Sequence, residues 1–411
     1  VIADELEDEW YVHVPESYDP TKKTPLVVSL HGGMMTGWGQ AIYTSWTLAA
    51  DRDGFIVLFP NANYQRFWQV QWGTWEMDPE IRTPGSMEGE PPGVKACPEN
   101  VEDNHDIKMI LGLIDLMKQT YNIDEGRIFM QGMSMGNMMT GLFARNFGHL
   151  LAGAAGSGAA AFLSLVFTKD GKIINRGGPL AIWQSRPEKN DIPPGRDIEK
   201  KVHKYNRLYW MRINQCDPIP QISIQGENNL AFYTGKKADM VYYDIKNRDH
   251  GQTFDDAVLV WDYLFSGVRR ESDGTIVRIQ SARARKGDAF AFAITPGRDK
   301  MWFHNSVQEM SGPTLLWNKM KYHGLDGGQK IRGQYHMMPL SALAKGFADR
   351  LDYSEHHLVA RMRLSDGRAI QFARGSIGCV IDNSLVQMYC EALDRSGELY
   401  VSAEWFAEYL C

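Results

Sequence analysis

The run Gln131-Gly132-Met133-Ser134-Met135-Gly136-Asn137 places a serine between two glycines, in the pattern G-x-S-x-G. An apolar stretch, Arg127 to Met130, precedes it, and a stretch of helical character, Met138 to Phe147, follows. A serine hydroxyl is a weak nucleophile at neutral pH and becomes a strong one when a base removes its proton and donors meet the oxyanion that forms. A sharp strand-to-helix turn needs small residues two positions either side of the serine, because side chains there would collide. Such a turn lifts the Ser134 hydroxyl above a sheet. It also aims the Met135 amide, at the start of the helix, at the same place.

The base for such a serine is a histidine, itself oriented by a carboxylate. His250, in Asn247-Arg-Asp-His-Gly251, falls between the last strand candidate and the closing helix candidate of the first region. His203 competes, but it lies in the helical stretch Ile198 to Trp210 beside Lys200, Lys201 and Lys204, where a solvated surface histidine is expected. The carboxylate should follow the strand candidate Leu180 to Trp183, where the segment Gln184 to Pro194 offers Asp191 and Glu188. A second oxyanion donor is expected from Leu26-Val-Val-Ser-Leu-His-Gly-Gly-Met-Met-Thr36, as the amide of Gly33 or Met34, with His31 bracing the loop. The long segment Asn61 to Asn104 holds Tyr64, Phe67, Trp68, Trp72 and Trp75. Its aromatic planes either stack on a phenolic ring or sugar face or form a satellite core beneath the loop. Trp68, Trp72, Trp75 and Trp183 are the candidate substrate contacts.

Elements able to position these groups are legible in the hydrophobic pattern. Strands are expected at Trp10 to Val14, Leu26 to Leu30, Phe55 to Phe59, Arg127 to Met130, Leu180 to Trp183 and Met240 to Tyr243. Leu150 to Phe167 is too rich in Gly and Ala to span a membrane and reads as a buried strand running into a loop. One helix is marked by Ile107, Ile110, Leu111, Ile114 and Met117 on a single face, and another closes the region from Phe254 to Phe265. Short apolar runs alternating with helices predict an α/β domain with a mostly parallel sheet covered on both faces, over residues 1–268.

Residues 269–411 form a second expected domain, smaller and α+β, after the polar junction Ser266-Gly-Val-Arg-Arg-Glu-Ser-Asp-Gly274. Gly297 to Met310 matches Gly375 to Met388 in pattern, each with Asn-Ser ahead of an apolar residue. Each copy leads on to a strand and a short helix, so two repeat units are expected at about 288–347 and 368–411.

Tyr11-Val-His-Val-Pro, Pro25 to Gly33, Asp51 to Ala62 and Ile123 to Gly136 together resemble the polyhydroxybutyrate depolymerase and feruloyl esterase group of α/β-hydrolases. The resemblance covers roughly Trp10 to Gly267. It implies a secreted serine carboxylic ester hydrolase without metal or cofactor, acting through an acyl-enzyme on plant cell-wall feruloyl or acetyl esters or on polyesters. Within that resemblance Asp191 fits the family's acid segment if one residue is inserted, and Glu188 requires a shorter loop. The chain departs from the family at Trp183-Gln184, where His-Gly is frequent, and at Asn137, where Gly is usual. The second region resembles the copper amine oxidase N-terminal-like repeat module, with Ile370 to Leu410 the better match and Met338-Pro-Leu the other. That resemblance implies an exported bacterial protein, extracellular or at the cell surface, with cell-wall or polysaccharide contact through this domain. It implies no copper site. His356-His357, adjacent in a polar stretch, reads as solvent-facing rather than metal-binding.

Composition narrows the alternatives. Lys and Arg total 44 against 50 Asp and Glu in 411 residues, a net charge of -6 that disfavours nucleic acid and anionic lipid as partners. The 5 cysteines include no C-x-x-C pair, which disfavours a zinc ribbon or disulfide framework and leaves Cys97 with Cys216 as the pair to test. Val1 opens on neither a charged nor an apolar leader segment. A serine peptidase or acyltransferase uses the same constellation, and a non-catalytic wall-binding protein is the alternative outside enzymes.

Overall fold

The computed structural model describes residues 1–73, 94–188, 196–225, 228–246, 248, 250–251, 256–280, 292–322 and 329–409. Two compact units divide the chain, the first comprising 1–41 and 46–284, the second 42–45 and 285–411.

In the first unit the order is β1 (Trp10–His13), β2 (Thr24–Leu30), α1 (Gly37–Tyr43), α2 (Trp46–Asp53), β3 (Ile56–Pro60), α3 (His105–Thr120), β4 (Ile123–Met133), α4 (Met135–Phe147), β5 (Gly153–Ser157), α5 (Leu163–Val166), β6 (Ala181–Pro187), α6 (Arg196–Asn214), β7 (Gln221–Gln225), β8 (Asn228–Tyr233), β9 (Met240–Ile245), α7 (Asp256–Tyr263), β10 (Val268–Arg270) and β11 (Ile276–Arg278). Nine strands form one sheet in the order β1-β3-β2-β4-β5-β6-β9-β8-β7. From β3 to β9 the neighbours run parallel. Antiparallel strands close both edges, β1 on one side and the β8-β7 hairpin on the other.

The central strands read as unbroken apolar runs because both faces of the sheet are covered. On β2, Leu26, Val28 and Leu30 enter a core shared with α3, α4 and α6, while Val27 points to the opposite core beneath α2 and α7. The α3 stripe follows helical spacing, and Asn104 caps it by accepting the Ile107 amide at 3.2 Å. The β7-β8 pair was not anticipated. Gln221-Ile-Ser-Ile-Gln225 does carry the strict alternation of an edge strand, with Ile222 and Ile224 exposed.

Three expectations change. The first unit continues past residue 268 into the β10-β11 hairpin, because Val268 is buried and Arg270 donates to the carbonyls of Gly148, Leu151 and Pro179. His203 is buried rather than solvated. Cys97 and Cys216 carry thiols and no bridge joins them.

The second unit contains β12 (Phe292–Ile294), β13 (Lys300–Phe303), β14 (Ser306–Glu309), β15 (Leu315–Tyr322), β16 (Gln329–Pro339), α8 (Leu340–Phe347), β17 (Ala348–Tyr353), β18 (Val359–Leu364), β19 (Ala369–Ala373), β20 (Gly378–Ile381), β21 (Ser384–Gln387), β22 (Leu393–Arg395), β23 (Glu398–Ser402) and α9 (Ala403–Tyr409). The two sequence-matched segments are hairpins, β13-β14 and β20-β21, turning at His304-Asn305 and Asp382-Asn383. Each copy ends in a strand that runs directly into a helix, β16 into α8 and β23 into α9. These two strands pair antiparallel, Met338 opposite Val401.

Candidate active site

Ser134 sits between β4 and α4 with φ 56 and ψ -121, a left-handed conformation that a non-glycine residue adopts only under constraint. Two close backbone approaches supply the constraint. A Cβ on Gly132 would lie 2.1 Å from the Gly136 carbonyl oxygen, and one on Gly136 would lie 2.2 Å from that of Leu30. The glycines therefore let the chain double back against its neighbour strand. The Ser134 amide donates to the Ser157 carbonyl at 2.9 Å, which pins the turn to the end of β5.

His250 lies beyond the end of β9 with Nε2 2.8 Å from Ser134 Oγ. Residues 116 positions apart in sequence thus meet within hydrogen-bond reach, in the geometry by which an imidazole takes a hydroxyl proton. Ser157 holds the histidine loop as well, because its hydroxyl donates to the Gly251 carbonyl at 2.8 Å. One fully buried serine thus ties the nucleophile turn to the base loop. Sequence reading missed Ser157, whose only signal is a polar residue ending the small-residue run Gly153-Ala-Ala-Gly-Ser157.

Two candidate oxyanion donors lie close to the serine. Met135 opens α4, where the amide has no intrahelical acceptor. Of the two loop candidates, Met34 donates its amide to the Arg66 carbonyl at 3.0 Å. Gly33 has no such acceptor among the described residues, and it adjoins Met135, whose Sδ would lie 3.0 Å from a Cβ placed on Gly33. His31 braces this loop from within. The Ala62 amide donates to its Nε2 at 2.9 Å, so Nδ1 carries the hydrogen and donates to the Gly32 carbonyl at 2.7 Å. Burial pushes its pKa down to about 4. Asn137 has a local purpose where glycine was expected, donating to the Gly158 and Ala159 carbonyls at 2.6 and 3.1 Å.

Asp191 and Trp75 lie outside the described residues. Glu188 follows the last residue of β6, donates its amide to the Ile245 carbonyl at 2.9 Å and places its carboxylate 3.4 Å from Lys246 Nζ. Trp68 and Trp183 are core residues, not substrate contacts. Trp68 is fully buried and donates its indole hydrogen to the His31 carbonyl at 2.8 Å, and Trp183 donates to Ser185 Oγ at 2.8 Å beneath α7. Trp72 is half-buried, edge-on to Phe162.

A mostly parallel sheet bears a strained serine after one strand and its histidine partner after a later one, in the chain order nucleophile then base. The fold is that of an α/β-hydrolase. No protein-family model matches the chain. Among curated proteins it is similar to a bifunctional acetylxylan esterase/xylanase, XynS20E, of Neocallimastix patriciarum, 22% identical over 259 residues. It is also similar to feruloyl esterase B of Neurospora crassa, 29% identical over 154 residues, and to acetylxylan esterase A of Talaromyces purpureogenus, 28% identical over 160 residues. These matches cover 62%, 36% and 38% of this chain and 32%, 44% and 35% of those proteins, so the chain spans less than half the length of the relatives it matches. A solved acetyl xylan esterase from Aspergillus awamori aligns over 61% of this chain and 92% of its own, at 15% identity and TM-score 0.45. No helix among the described residues is long and apolar enough to cross a membrane, and none of their His, Cys, Asp and Glu side chains cluster as a metal site.

Proposed function

We propose that the protein is a serine esterase that removes acetyl or feruloyl groups from plant cell-wall polysaccharide. The observation that carries this reading is the 2.8 Å approach of His250 Nε2 to Ser134 Oγ at a strained strand-to-helix turn. Ser134 Oγ attacks the ester carbonyl while His250 takes its proton, and the amides of Met135 and Gly33 receive the oxyanion. Collapse expels the alcohol, which takes the proton back from His250 and leaves Ser134 acylated. Water then attacks the acyl group with His250 again as base, regenerating the hydroxyl and releasing the acid. Asp191 is the orienting carboxylate in this reading, since Glu188 already faces Lys246. The choice of ester follows the similarity to acetylxylan and feruloyl esterases. It carries with it an extracellular setting, with the second unit, a copper amine oxidase N-terminal-like repeat module, holding the enzyme on its polymer.

Steady-state hydrolysis of p-nitrophenyl acetate, acetylated xylan, methyl ferulate, a hydroxybutyrate oligomer and a peptide tests the reading. Ser134→Ala should lower kcat on the preferred ester by about 10³-fold or more with the fold intact. Retention of more than about a tenth of the activity would remove Ser134 as nucleophile. Cleavage of the peptide or hydroxybutyrate oligomer in preference to the acetyl and feruloyl esters would overturn the substrate class.

A further inference from the structure

Behind the nucleophile helix lies a cavity of about 60 Å³. Asn137, Gly141 and Arg145, spaced by four along α4, line it together with Gln71, Gln184 and Tyr209. Neither Ser134 nor His250 borders it, so it is separate from the reaction centre.

Arg145 is 6% exposed. A buried guanidinium is stable when a carboxylate or a full set of acceptors faces it, and costs several kcal/mol otherwise. Here its side chain makes a single hydrogen bond among the described residues, from Nη2 to Gln71 Oε1 at 3.5 Å, the long limit of such a bond. Tyr209, which also lines the cavity, is engaged elsewhere, donating to the Ile174 carbonyl at 2.8 Å and accepting from Asn175 at 2.9 Å. The guanidinium folds back along the helix over Gly141, where a Cβ would stand 3.2 Å from Nη1.

The wall therefore presents planar cationic donors that require an anion. At roughly 10–15 Å³ per water-sized group, the space holds roughly four to six such groups. We propose that this cavity binds a small carboxylate of acetate or glycolate size, its oxygens accepting from the Arg145 guanidinium. A planar carboxylate matches the guanidinium fork as a spherical ion does not.

The inference goes beyond the esterase reading, and its test needs no catalysis. Thermal melting of the full chain at pH 7 and fixed ionic strength is followed against sodium glycolate, sodium acetate and sodium chloride. Glycolate and acetate should each give a saturable rise of about 2–4 °C and chloride none. Arg145→Met should abolish both rises. No response to glycolate in the wild type, an equal response in Arg145→Met, or an equal response to chloride would overturn the proposal and leave the cavity to water. Should Arg145→Met fail to fold, calorimetric titration of glycolate into wild type and Gly141→Leu decides. Heat of binding in the first that vanishes in the second, where the new side chain fills the space beside Nη1, supports the site, and equal heats overturn it.

Discussion

His31 stays neutral in the folded chain near neutrality, with its one hydrogen on Nδ1, because its Nε2 is needed as the acceptor for the Ala62 amide. Its folded pKa of about 4 lies below the ordinary 6.5, so the unfolded chain binds more protons between those two values. The stability this residue contributes is therefore complete above pH 6.5 and is lost as pH falls toward 4. At pH 5 the loss should reach about 2 kcal/mol, read as the difference in urea-unfolding free energy between wild type and His31→Gln at pH 5 and pH 7. A pH-independent difference would mean that His31 keeps its proton on folding. Ser157 acts through its neighbours rather than on substrate. Ser157→Ala should lower kcat on a p-nitrophenyl ester by about 5–10-fold with KM little changed, since one hydroxyl bond to the Gly251 carbonyl is lost. An unchanged kcat would show that the histidine loop stands without it. At the acid, Asp191→Ala should be the crippling change and Glu188→Ala the mild one, as Glu188 already faces Lys246. The reverse ranking, measured on the same ester, would reassign the orienting carboxylate.

At the scale of elements, the turn from β4 into α4 is rigid because two strands and a helix start share one narrow space. Gly136→Ala should displace the Leu30 carbonyl that its methyl group would overlap, costing about 1–3 kcal/mol and lowering acylation about 10²-fold or more. Melting temperature and the burst amplitude with a p-nitrophenyl ester report the two effects separately, and a variant with wild-type values in both would show that the strand has room to move. This turn was legible before any coordinates, since strand, glycines, serine and helix each leave their own mark in the sequence. The same holds for His250, whose place follows from chain order. Trp68 was misleading for a physical reason. An indole in a long loop has the same sequence signature whether it waits for a ligand or packs downward, and only its bond to the His31 carbonyl distinguishes the two. Ser157 was illegible because small residues are required along β5 for packing alone. The domain junction was placed too early because polarity was read as exposure. Arg269 and Arg270 look like linker residues, yet Arg270 threads its guanidinium among three backbone carbonyls of the first unit and Arg269 pairs with Asp124 at 2.7 Å.

For the whole molecule, those arginines decide where the chain can be cut. A polypeptide ending at residue 284 should fold and hydrolyse a small soluble ester at near the full rate, whereas one ending at 268 should melt several degrees lower or aggregate, having lost the carbonyl-binding guanidinium. Equal melting temperatures for the two would show that the β10-β11 hairpin is dispensable. In the second unit, the pairing of β16 with β23 has its own consequence. Two copies of one motif face each other head to tail across Met338 and Val401, as the halves of a twofold dimer do, but on one polypeptide. Tethering fixes the local concentration of each half for the other, so this pairing is independent of how dilute the protein becomes. A single copy expressed alone would carry the same unsatisfied strand edge with no built-in mate, and would recover it only by finding another molecule of itself.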